Sequence, residues 1–194
     1  QHRSLANNNP SDDSVGLIVV SEGVYVNPDN TTFVTIDETL PVVKIAETEN
    51  DKKVFGVISS KEDENTSREY DGQGTFVTVI NKANNNEQRM VINSLGEGGI
   101  WVCNKNGNLE NGDYITSCEV SGYGQKQILE EGTLKNFTVA KITCDVDFNS
   151  TNNFETRFLQ ADATEITEEE YNTKLAAEEQ VYIACFVGCT YHCG

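Results

Sequence analysis

Apolar residues along this chain come in short runs. They are rich in β-branched and aromatic residues, as strands are, and Tyr114–Thr116 and Phe137–Ile142 also alternate in the period of two that sends successive side chains to opposite faces. Such runs occupy Gly16–Val20, Val24–Val26, Thr32–Ile36, Val42–Ile45, Val54–Ile58, Thr75–Ile80, Arg89–Ile92, Ile100–Cys103, Tyr114–Ser117, Phe137–Ile142 and Val181–Val187. Between them stand turn formers such as Asn27-Pro28-Asp29-Asn30, Asn84-Asn85-Asn86, Asn106-Gly107 and Asn111-Gly112, residue types that reverse the backbone or accept a positive φ. One segment breaks the period. Thr167-Glu168-Glu169-Glu170 is a capping box followed by a small apolar face of Tyr171, Leu175 and Ala176, which predicts a helix over about 167–179. Many short strands against one short helix near the carboxyl end predict a mostly β fold, with antiparallel strands in a compact barrel or sandwich-like domain.

The same pattern divides the chain. Residues 1–14 are polar, with Asn7-Asn8-Asn9-Pro10 and Asp12-Asp13, and are expected to form an exposed amino-terminal arm. Residues 15–194 are expected to form a single β-rich domain, with a charged loop at 61–71 and a second loop at 147–153. No internal repeat marks a solenoid or a propeller.

Charge narrows the function classes. The 194 residues carry 31 acids against 14 basic residues, a net charge of −17. That excess gives no means of displacing cations from a phosphate backbone, so nucleic acid is not an expected partner. No apolar run approaches the roughly 20 residues of a membrane-crossing helix, so no membrane insertion is expected. Asparagine occurs 21 times, which fits many tight turns and makes any single Asn- or Asp-containing motif weakly informative.

The usual catalytic patterns are incomplete. His2 and His192 sit at the two ends, away from any nucleophile held in a strand framework. Gly96-Glu97-Gly98-Gly99 lacks the lysine and helix of a phosphate loop. No cofactor is implied, and multiple-turnover catalysis is not expected. Of the six cysteines, Cys185, Cys189, His192 and Cys193 invite a zinc reading. Residues four apart in a strand are separated by about 13 Å, too far to share one tetrahedral ion. No metal site is therefore assigned, and buried free thiols are preferred to disulfides among Cys103, Cys118, Cys144, Cys185, Cys189 and Cys193. Trp101 and Tyr123 admit two readings, a glycan-binding surface or buried core and subunit contacts.

Several segments carry a resemblance when taken in order: Lys52–Ile58, Gly98–Val102, Asn108–Ser117, Gly122–Lys126 and Thr138–Ile142. Within them, Asn111-Gly112 suits a tight turn, Asp113 can bond the amides of that turn, and Gly122 precedes a strand of small residues. The set resembles the intramolecular-chaperone autoproteolytic cleavage domain found in phage tail-spike and appendage proteins and in related proteins of large algal viruses. The resemblance covers about residues 40–145. It implies a virion-associated β module, the carboxyl-terminal domain of a spike, fibre or minor capsid component, working as a homotrimer with other virion proteins. It also implies an alternative, a self-cleaving chaperone domain released after one turnover. The family cuts at the domain's amino end, which suits a chain that begins at Gln1. Its Ser-Asp type of junction has a local analogue in Ser11-Asp12, with Asp13 or Glu22 as the nearby acid. A glycan-binding surface module, using Trp101 and Tyr123, is the third reading.

Overall fold

The computed structural model describes residues 2–6, 11–26, 40–61, 88–128 and 133–193. The expected strands Thr32–Ile36 and Thr75–Ile80, and the charged loop beyond Lys61, lie outside the described residues.

Five strands close the first barrel: β1 (His2–Ala6), β2 (Ile18–Val26), β3 (Leu40–Ile45), β4 (Val54–Lys61) and β5 (Gln88–Asn93), in the order β1-β3-β2-β4-β5. Neighbours are antiparallel except the parallel pair β1–β3. Val19, Val43, Ile58, Met90 and Ile92 fill its interior from alternate positions, as β-branched and long apolar side chains do on a pleated surface.

The second sheet contains β6 (Leu95–Cys103), β7 (Tyr114–Ser117), β8 (Gly124–Lys126), β9 (Thr138–Ile142), β10 (Thr156–Gln160), β11 (Glu165–Ile166) and β12 (Val181–His192), in the order β11-β10-β12-β6-β8-β7-β9. Because β9 also pairs with β12, the strands β12, β6, β8, β7 and β9 close into a second ring. Only β10 and β11 extend beyond it. β12 is the spine: all along one side it pairs with β6, while its other side pairs first with β10 and then with β9. Closure leaves few free edges through which another chain could add a strand. The two rings share a core, since Ile18, Val20, Ala46 and Val57 pack with Ile100, Val102, Ile115, Val139 and Val187.

The helix, α1 (Glu168–Ala176), begins as expected. The Thr167 side chain accepts from the Glu170 N–H and the Glu170 carboxylate accepts from the Thr167 N–H. Its apolar face is narrower than expected. Tyr171, the one buried residue of α1, packs against Phe158 of β10, with ring centroids 5.1 Å apart, while Leu175 is 52% exposed. Residues 147–153 form a loop without strand or helix.

The amino-terminal stretch departs from expectation. His2–Ala6 is not an exposed arm but a barrel strand, paired with β5 from His2↔Ile92 to Ala6↔Gln88 and with β3 at Leu5↔Val42. Only two of its five residues, Leu5 and Ala6, are hydrophobic, so periodicity gave no signal. The tertiary pairing supplies its backbone partners. Asp12–Ser14 is a single 3-10 turn, and Ser14 is buried.

Candidate functional site

The side chains proposed as a binding surface lie inside the molecule. Trp101 is 2% exposed and Tyr123 4% exposed. Trp101 sits on β6 in a stretch buried on both faces, with Phe186 of β12 at 5.4 Å and Tyr123 at 6.3 Å between ring centroids. Its indole N–H donates to the Val15 carbonyl at 3.1 Å, and the Trp101 amide donates to the Gly16 carbonyl. Arg157 of β10 covers the ring from the far side, its guanidinium carbon 4.1 Å from the ring centroid. From there Arg157 reaches the Tyr123 hydroxyl at 3.3 Å and the Asp13 carbonyl at 3.1 Å. Burial raises the Tyr123 hydroxyl above its usual pKa, although Arg157 pulls the other way. The assembly ties the chain before β2 to three strands of the second sheet. It is a core staple, which corrects the surface reading. An arginine face on a desolvated indole is a favourable cation–π arrangement.

Ser11 precedes the 3-10 turn Asp12–Ser14, and Glu22 lies on β2. Ser11 is exposed and its carbonyl accepts from the Ser14 amide at 3.1 Å, an ordinary turn. The described non-glycine residues with positive φ are Asn50, Ala163 and Glu178, so the Ser11-Asp12 peptide shows no such backbone strain. Moreover, His2–Ala6 upstream of Ser11 is a barrel strand, so a cut there would leave β1 paired in place.

Gly112, Asp113 and Gly122 do the turn work assigned to them. Gly112 has φ +100°. Asp113 accepts the Glu110 amide at 2.8 Å and pairs with Lys126 at 2.7 Å, which joins the turn before β7 to β8. Gly122 donates to the Ala46 carbonyl at 2.7 Å, while its own carbonyl accepts from Ile18 at 2.8 Å. A Cβ there would lie 3.1 Å from both Ile45 and Leu17, so the close approach of the two barrels requires the missing side chain.

All six cysteines are free thiols. Desolvation pushes Cys185 up to about 11 and Cys189 and Cys193 up to about 12, the condition of inert structural thiols. Among the described residues no group of three or more His, Cys, Asp or Glu side chains is placed to hold a metal. His192 contacts Thr190, with its Nε2 3.2 Å from the threonine hydroxyl.

Cys103 and Cys118 differ from the other thiols. Both are fully buried, with sulfurs 3.8 Å apart and Cys103 donating to Cys118. Cys118 also accepts the Val120 amide at 3.4 Å. That donated hydrogen bond and burial raise the Cys103 thiol well above its usual value. The bond from Cys103, the Val120 amide and the nearby Lys105 charge lower Cys118 against its own burial. Lys105 is held by Glu119 at 2.8 Å and Glu49 at 3.5 Å. Sequence reading passed over this pair for the denser cysteine spacing of the tail. The available signal was two cysteines flanking successive Asn-Gly turns. Arg157 and Phe186 were missed as well, since neither belongs to a motif.

Comparison with family models, with curated proteins and with solved structures finds no match to this chain.

Proposed function

We propose that the chain is a structural β module of a virion, the carboxyl-terminal domain of a spike, fibre or minor capsid component, and that it assembles as a homotrimer with other virion proteins. One observation supports the reading. Most of the segments behind the resemblance supply strands of the fold: Lys52–Ile58 enters β4 of the first barrel, while Gly98–Val102, Asn108–Ser117, Gly122–Lys126 and Thr138–Ile142 supply residues of β6, β7, β8 and β9, adjacent strands of the second ring. The resemblance therefore rests on scaffold-forming residues and not on a reactive group.

The single-turnover alternative is less well supported by the geometry around Ser11. The glycan reading has lost both side chains named for it to the core. A structural role places the functional information in rigidity and surface shape, which ring closure favours. The test is retention. Produced together with its own virus's assembly proteins, the chain should copurify with particles in a fixed ratio through a density gradient. Its absence from finished particles would overturn the proposal.

A further inference from the structure

The second ring is not equally strong all round. β6 pairs with β12 over nine residue pairs, from Ala184↔Cys103 to His192↔Leu95. It meets β8 at a single parallel pair, Val102↔Gly124. Cys103 follows Val102 directly, and Cys118 follows Ser117, which is itself paired with Gly124. The thiol pair thus stands at the thinnest seam of the ring. We propose that Cys103 and Cys118 are a redox-active dithiol, and that a hydroperoxide oxidises them to an intrachain disulfide that fastens this seam.

Three features support the assignment. The sulfurs are already 3.8 Å apart, so bond formation closes a gap of under about 2 Å. The polarity of the pair is set, with one sulfur donating and the other receiving a thiol and an amide hydrogen bond, the surroundings that favour a thiolate at Cys118. The route in is short as well: Cys118 is followed by the exposed Glu119, so a small opening of that turn admits an oxidant little larger than water.

The chemistry balances. The Cys118 thiolate attacks one peroxide oxygen, the O–O bond breaks, and hydroxide (or alkoxide) leaves with the electron pair, giving a sulfenic acid. The Cys103 sulfur then displaces the sulfenic oxygen, which leaves as water with the Cys103 proton, and the S–S bond forms. The proton first lost from Cys118 neutralises the departing hydroxide. Two thiols lose two electrons and the peroxide gains them.

The test uses the full chain, folded and reduced, treated with hydrogen peroxide, quenched, denatured and alkylated. The expected result is four alkylated cysteines and one Cys103–Cys118 linked peptide in the digest, reversed by a thiol reductant. The closed loop should raise the melting temperature by roughly 5–10 °C. In Cys103→Ser, a dimedone probe should label Cys118, because the sulfenic acid has lost its resolving partner. Six alkylated cysteines after treatment, or a link between any other pair, would overturn the proposal. Mapping of the unmodified chain settles this even if Cys103→Ser fails to fold.

Discussion

Replacing Trp101 with alanine separates a core staple from a binding surface in one experiment. The side chain is 2% exposed, and its removal from a packed site costs about 3–5 kcal/mol in lost transfer energy and cavity formation. Two further losses are visible. The Val15 carbonyl loses its indole donor at 3.1 Å, about 1 kcal/mol. Arg157 loses the ring that its guanidinium covers at 4.1 Å, about 0.5–2 kcal/mol. These terms share one cavity and do not simply add, so the expected total is about 4–6 kcal/mol. For a chain of this length that lowers the melting temperature by on the order of 10–20 °C. Urea unfolding followed by far-ultraviolet circular dichroism is the suitable assay, because the substitution removes the chain's only tryptophan. Trp101→Phe, which keeps an aromatic plate under Arg157, should recover more than half of the loss. A loss below about 1.5 kcal/mol for Trp101→Ala, the scale of an exposed aromatic, would refute the staple.

Further tests address the turns, the cap and the acid limb of stability. Gly112→Ala should cost about 1–2 kcal/mol through backbone strain alone, since φ is +100° and the nearest atom to an added Cβ, Lys141 Cε, is 3.6 Å away; Gly122→Ala, crowded at 3.1 Å as well as left-handed, should cost more, and equal urea midpoints for the two would contradict this ranking. Thr167→Ala removes the amide acceptor at the start of α1 and should cost about 1 kcal/mol, read as a lower melting temperature and faster amide exchange in residues 168–171. Hydrogen bonds from the Asn149, Thr164 and Thr167 backbone amides hold Asp147, Asp162 and Glu170 below their ordinary values of 3.8, 3.8 and 4.5. Their contribution is present above those values and lost as pH falls through the depressed ones, so Asp147→Asn, Asp162→Asn and Glu170→Gln together should flatten the fall in melting temperature between about pH 5 and pH 2; an unchanged slope would remove these carboxylates from the account. Made from its complete gene without added protease, the protein should keep one intact mass, and a precursor that shortens by itself to a start near Ser11 would restore the self-cleaving alternative.

Where local chemistry decides the conformation, the sequence was enough. Thr167 and Glu170 announced their helix start because each satisfies an amide of the other, and Asn111-Gly112 announced its turn because the backbone there needs a positive φ. β-branched and aromatic runs located β4, β7 and β9 to within a few residues. What stayed hidden depends on partners distant in the chain. His2–Ala6 is mostly polar and becomes a strand only because β3 and β5 offer it backbone groups. β10, with Arg157 and Phe158, carries no motif and becomes a strand through its pairing with β12 and β11. Trp101 had two readings until Arg157 and Phe186, 56 and 85 residues further on, were seen closing over it. The 3.8 Å approach of Cys103 and Cys118 likewise follows from ring closure, which no window of sequence contains.

Sedimentation of the full chain at micromolar concentration bears most directly on the proposed assembly. A trimeric virion module predicts a single species of three times the 21.4 kDa chain mass, unchanged on moderate dilution. A clean 21.4 kDa monomer across the same range would contradict it.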